Sequence, residues 1–213
     1  MKTLNYLQTV IAFILITSNV AQAQIAIGAK VGLNGSTQSE IGQLYDNNDF
    51  KIDGQAGLQL DYRFHSILSV QLEGNYISKG SKISMAGIND GKNFNRTFEY
   101  INVPLLLKAR FDNQLGLDKK YNVFFYAGPY YSALISASDN LESADNAEST
   151  NIKNEAKDYD MGLSFGGGAT YVLNTRNEIF IDLRYDMGLS EVVSTDNNLR
   201  NKTIGLSIGY RFF

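Results

Sequence analysis

The 213-residue sequence has no cysteine and no tryptophan, one histidine and two prolines. Without cysteine there is no disulfide, no thiol nucleophile and no thiolate metal site, and no lipid-modified cysteine can begin a processed chain. The single histidine, His65, leaves little material for imidazole chemistry. Basic excess is missing too: 19 Lys and Arg stand against 22 Asp and Glu, so no basic face points to nucleic acid. Beyond the N-terminal stretch no run of 18 apolar residues occurs, which excludes helical membrane spans. A membrane barrel is not excluded, because its strands alternate and look only mildly hydrophobic on average.

What is present begins with Lys2, an apolar run over 9–16 (TVIAFILI) and Ala21-Gln22-Ala23. A short positive start, a short apolar core and a small-x-small site predict a secretory signal peptide over 1–23. The mature chain, 24–213, is then a single domain by length.

Eight segments of the mature chain alternate apolar and polar residues with a period of two, the mark of a strand with unlike faces. They cover 25–35, 54–64, 67–78, 98–111, 121–136, 158–173, 178–190 and 204–213. In the last, IGLSIGYRFF, Ile204, Leu206, Ile208, Tyr210 and Phe212 oppose Gly205, Ser207, Gly209 and Arg211. The fifth, YNVFFYAGPYYSALIS, is apolar on both faces, and pattern alone leaves its orientation open. No segment carries a helical stripe.

The connections alternate as well. Those over 36–53, 79–97, 137–157 and 191–203 are long and polar, whereas 65–66, 112–120 and 174–177 are short. An up-and-down barrel with all its long loops at one end is built this way, and outer-membrane barrels place the long loops outside the cell. Both mature termini then fall at the short-turn, periplasmic end.

Two architectures accommodate eight amphipathic strands: a soluble barrel with apolar faces inward, or a membrane barrel with the sense inverted. The polar faces decide between them. They carry Lys30, Arg63, Lys108, Arg110, Arg184 and Arg211 against Asp61, Glu73, Asp160, Glu178, Asp182 and Asp186, six of each sign. Balance of that kind matters inside a narrow lumen, where an unpaired charge costs several kcal/mol. Aromatics agree: Tyr62, Phe64, Tyr76, Phe98, Tyr100, Phe111, Tyr121, Tyr159, Tyr171, Tyr210 and Phe212 lie near strand ends, where interfacial girdles form. The reading is an all-β, eight-stranded antiparallel up-and-down transmembrane barrel with a lumen filled by side chains.

Features that could carry chemistry are few. His65 occupies a tight turn at the periplasmic end, away from the membrane and outer rim, and reads as a solvated turn residue. Asp182 and Asp186 share a face but answer Arg184 as an ion network. Loop 137–157 is acidic, through Asp139, Glu142, Asp145, Glu148 and Glu155, yet lacks the spacing of a calcium loop and reads as mobile and solvated. Gly166-Gly167-Gly168 lies inside a strand with no helix or lysine after it, so close packing or bending is expected rather than phosphate binding. Pro104 and Pro129 fall within strands and predict a bulge or broken pairing at each, adjacent to one another. No catalytic, metal or cofactor site is expected.

IAIGAKVGLN near the mature start, YINVPLLLKARF at 100–111, FFYAGPYYSAL at 124–134, YDMGLSFGGGATYVL at 159–173, FIDLRYDMGLSEV at 180–192 and the final IGYRFF resemble the Bacteroidota outer-membrane β-barrel family to which PorT belongs. That family is related in architecture to small barrels of the OmpA and OmpX kind. The resemblance implies an outer-membrane location, surrounding lipid as a partner, and insertion by the barrel assembly machinery. Four readings of function follow. The first, from the filled lumen, is a non-enzymatic surface or envelope protein acting through its extracellular loops, with an extracellular protein partner. The second, implied by the resemblance, is a PorT-like accessory of protein secretion. The third is a narrow channel. The fourth, an envelope enzyme, is the weakest given the place of His65. In such barrels the final aromatic stands in register with the lipid-facing residues; Phe212 holds that register and Phe213 lies one residue beyond it.

Overall fold

The computed structural model describes residues 25–38, 48–49, 51–84, 93–111, 118, 120–142, 147–153, 156–191 and 199–213. The expected signal peptide lies outside the described residues. Ten strands are present: β1 (Ile25–Gln38), β2 (Asn48–Asp49), β3 (Lys51–Arg63), β4 (Leu68–Ser84), β5 (Asn93–Phe111), β6 (Tyr121–Glu142), β7 (Ala147–Asn151), β8 (Tyr159–Asn174), β9 (Asn177–Gly188) and β10 (Asn201–Phe212). Eight of them close a barrel in chain order, every pairing antiparallel, with β10 sealed to β1 from Ile27–Phe212 to Gln38–Asn201. Closure removes every free edge within the ring.

Burial is inverted relative to a soluble fold. On β10 buried and exposed residues alternate over all twelve positions. Arg211, Ser207, Thr203 and Asn201 are buried, while Ile204, Leu206, Ile208, Tyr210 and Phe212 are 44–57% exposed. The same inversion runs around the ring, so the apolar stripes form an outer belt. On β4 that belt runs from Leu68 to Tyr76, nine residues, which is about what one tilted strand needs to cross a bilayer. The strand whose orientation the pattern left open, β6, turns Asn122, Phe124, Tyr126, Tyr130 and Ser132 inward and Tyr121, Phe125 and Tyr131 outward.

All four segments expected as long loops are partly strand. β1 runs to Gln38, and β2 and the start of β3 also lie within 36–53; β4 runs on to Ser84 and β5 starts at Asn93, within 79–97. β6 reaches Glu142 and β7 pairs with it, within 137–157; β10 starts at Asn201, within 191–203. Together β2, β4, β5, β6 and β7 make a five-stranded extension beyond the apolar belt. Its inner face carries Ile77, Phe98, Tyr100, Leu134 and Ala137, and Ile152, Ala156 and Leu199 fold over them to form a buried apolar cap. Phe98 and Tyr100 therefore belong to this cap, not to the lipid girdle; both are fully buried. Asp139, expected in a solvated loop, is held by Arg96 through two hydrogen bonds of 2.8 Å. Asp145 and Glu155 lie outside the described residues.

The extension leans inward over the lumen. β3 and β4 stay paired only as far as Gln55 and Ile77. Beyond that point side chains of β1 replace β3: Asn34 Nδ2 donates to the Ser78 carbonyl at 2.6 Å, and Ser36 Oγ both donates to and accepts from the Gly80 backbone. Gly80 has a positive φ of 155°, and a Cβ there would stand 2.0 Å from the Arg96 carbonyl oxygen, so no other residue fits this bend.

The prolines interrupt pairing without shifting register. Between β4 and β5 the ladder passes from Leu72–Leu105 to Asn75–Asn102, skipping Pro104; between β5 and β6 it passes from Leu107–Ala127 to Pro104–Tyr130, skipping Pro129. Each proline keeps its other neighbour, since only the side facing its missing N–H loses a bond. The two gaps are adjacent, as expected. The one β5–β6 bulge lies elsewhere, between Glu99 and Tyr100.

Candidate functional site: the charged lumen and its two mouths

Alternation alone places the polar residues of eight strands in one shared interior, so chemistry there depends on which charges meet. Six cations (Lys30, Lys79, Lys108, Arg110, Arg184, Arg211) and six anions (Asp61, Glu73, Asp160, Glu178, Asp182, Asp186) are buried in it. All but Lys79, which lies in a segment expected to be loop, belong to the charge set expected from the polar faces; Arg63, also of that set, is half-buried at the short-turn rim.

The ions meet at three levels. At mid-barrel Glu73 accepts two hydrogen bonds from Arg184, at 2.7 and 2.9 Å, and one from Lys30 at 2.8 Å. Asp182 lies 3.8 Å from Lys30 and 3.7 Å from Arg184, and Tyr126 donates its hydroxyl to it. Toward the short turns Glu178 joins Arg110 at 2.9 Å and Arg211 at 2.5 Å, and Lys108 donates to Asp61 and Gln71 at 3.0 Å each. Toward the long loops Asp160 pairs with Lys79 at 2.9 Å and also receives Ser190 and Asn201. Forked Arg–carboxylate pairs of this kind are among the strongest contacts available to buried charges.

Four aromatics complete the filling, each in the same way. Phe124, Tyr126 and Tyr130 on β6 stand directly across from Gly168, Gly166 and Gly162 on β8, and Phe180 on β9 stands across from Gly209 on β10. A Cβ on any of these glycines would fall 2.2–2.7 Å from the facing ring or its hydroxyl. The rings thus lie over bare backbone. On each ring sits a cation: Lys108 4.4 Å from Phe124, Arg184 5.0 Å from Tyr126, Lys79 4.4 Å from Tyr130 and Arg211 4.9 Å from Phe180. Desolvated cation–π contacts are each worth about 2 kcal/mol. The glycine run at 166–168 is a packing device, with Gly166 and Gly168 making room for Tyr126 and Phe124.

The short-turn mouth holds His65. Its ring is exposed, and Nδ1 accepts the Ile67 backbone N–H at 3.3 Å within the β3–β4 turn. Phe212 faces outward in the lipid register, whereas Phe213 turns beneath the barrel, its ring 5.8 Å from the Arg63 guanidinium and 5.9 Å from that of Arg110. Of the two carboxylates that share a face of β9, Asp186 accepts a 2.6 Å bond from Ser164 and Asp182 accepts the Tyr126 hydroxyl. Among the described residues no three His, Asp or Glu side chains converge as metal ligands.

A closed eight-stranded meander with an apolar belt outside and paired charges within defines an integral β-barrel membrane protein. Its outer-membrane location follows from the family: the chain belongs to the outer membrane protein beta-barrel domain family, whose model matches residues 20–194. Among solved structures it is similar to Neisserial surface protein A, at 11% identity and a TM-score of 0.52, over 88% of this chain and 96% of that one. It is also similar to the outer membrane protein OprG from Pseudomonas aeruginosa, at 15% identity and a TM-score of 0.50, over 90% and 96%. Identities this low speak for the fold. No curated protein matches the sequence.

Proposed function

We propose that this is a non-enzymatic outer-membrane protein that acts at the cell surface through its long-loop end, with the short turns and both mature termini in the periplasm. One observation carries the reading: the lumen is packed with paired ions and closed by an apolar cap, while β4, β5 and β6 continue past the membrane belt into a five-stranded extension. An eight-stranded barrel has room only for its own side chains, and here charge, ring and glycine use that room. Structure invested beyond the bilayer then serves contact with something outside, such as an extracellular protein. Insertion falls to the barrel assembly machinery.

Two measurements test this. An epitope inserted at 143–146 is expected to be reached by antibody on intact cells; labelling only after permeabilisation reverses the orientation. Purified barrel in planar bilayers is expected to show no steady openings, and reproducible conductance would replace the surface reading with a narrow channel. Deletion that leaves secreted cargo unchanged while altering surface adhesion separates this role from that of a secretion accessory.

A further inference from the structure

Where β4 leaves β3, the wall of the barrel does not simply end. The lumen-facing side of β3, carrying Lys51, Asp53 and Gln55, overlaps the outward side of β4 and β5, carrying Tyr76, Ser78 and Glu99, and a cleft of about 600 Å³ lies between them. That is within the ordinary size of a small-ligand site. Its lower border is the row Ala56–Tyr76–Ile101, set side by side by the strand register and, on β4 and β5, the last apolar row of the belt. The next outward pair up is Ser78–Glu99. The cleft therefore opens at the level where lipid chains give way to headgroups.

We propose that this cleft binds the sugar rings of a glycan. The donor set fits hydroxylated rings, because each sugar hydroxyl both donates and accepts. Carboxylates accept, while a lysine, amide groups and hydroxyls donate, and Tyr76 offers a half-exposed ring face for the C–H side of a pyranose. Tyr76 is already oriented by donating its hydroxyl to Glu99 at 2.8 Å. Lys51 is ion-paired with Asp53 and reaches Ser78 at 3.4 Å. With its one lysine neutralised and a second carboxylate nearby, the cleft disfavours phosphate or sulfate groups, and its polar wall disfavours an acyl chain. The sugar can come from a soluble oligosaccharide or from the headgroup of a glycolipid in the surrounding leaflet.

The test uses the full barrel and two probes: an outer-membrane glycolipid in nanodiscs, read by native mass spectrometry, and the oligosaccharide freed from it by mild acid, read by calorimetry in detergent. Wild-type protein is expected to retain the glycolipid. Tyr76→Ala and Glu99→Gln are each expected to weaken binding about tenfold or more, roughly 1.4 kcal/mol. Leu183→Ala, on the far wall, is expected to leave it unchanged, and heat-modifiable migration on gels checks that each variant is folded. Binding of both probes identifies the free sugar as sufficient, and binding of the glycolipid alone identifies the leaflet as the source; either supports the cleft. Binding of neither, or equal binding by all variants, overturns it. Calorimetry in detergent is blind to orientation, so this outcome is independent of whether the long-loop end proves to be the surface-acting end.

Discussion

At the level of Glu73 the interior is ionic and its outer wall is apolar; at the level of Phe98 an apolar cluster shares the interior with a single buried ion pair, Lys79–Asp160, and the outer wall is polar. The same strands, β4, β5 and β6, run through both levels. What changes between them is the solvent outside. Against lipid, a strand must show apolar residues outward and put its polar ones within, where only mutual pairing satisfies them. A few residues further on the outside is water, and Ile, Phe, Leu and Ala take most of the inward face, with Lys79 as its buried ion. The two levels should therefore fail differently: an ion removed from the lower one leaves charges stranded, while a ring removed from the upper one leaves a cavity.

The largest effect is expected from Glu73→Gln, which strands Arg184 and Lys30. Breaking a buried pair in this way costs about 3–5 kcal/mol, and denaturant unfolding in lipid vesicles should show the loss across the whole barrel. Phe98→Ala is expected to cost about 3 kcal/mol but locally. Limited proteolysis should cut faster at the long-loop end while heat-modifiable migration stays as in the wild type; loss of that migration would mean the cap and the ionic level are one cooperative unit. Gly168→Ala is next, at about 1–3 kcal/mol, since its Cβ would stand 1.9 Å from the Ile181 carbonyl and 2.7 Å from the Phe124 ring. Gly74→Ala, where a Cβ meets nothing within 4 Å, is the matched control and should be neutral. The smallest effect belongs to Arg96→Ala in the extension. Its pair with Asp139 is partly exposed, so a loss under about 1 kcal/mol is expected, shrinking further in high salt.

The same contrast explains what could be read in advance. Strands in the belt were legible because lipid imposes strict alternation, and the faces of β1, β3, β8, β9 and β10 followed residue by residue. Above the belt that rule lapses. KGSKIS at 79–84 looks like loop, yet its backbone is paired throughout, and Lys79 is an interior ion that hydropathy could not flag. Phe98 and Tyr100 look like girdle residues from their place near a strand end, but their parity with Asn102, Lys108 and Arg110, all inward, points into the barrel. Asn122 and Ser132 mark the inward face of β6 in the same way. The match of each lumen ring to a glycine was not legible, because it depends on register between strands that sequence does not state. The cleft beside Tyr76 was hidden for a like reason, since it exists only where β4 parts from β3.

The dozen interior charges are not shared evenly along the chain. From β1 to β5 they comprise four cations and two anions; from β6 to β10, two cations and four anions. The first half of the molecule is thus a positive trough of two excess charges and the second a negative trough of two, and four ion pairs stitch them: Lys30–Asp182, Glu73–Arg184, Lys79–Asp160 and Arg110–Glu178. Neither trough is electrically complete by itself. Closing the ring therefore doubles as a neutralisation, with the two halves held together as counter-ions of one another.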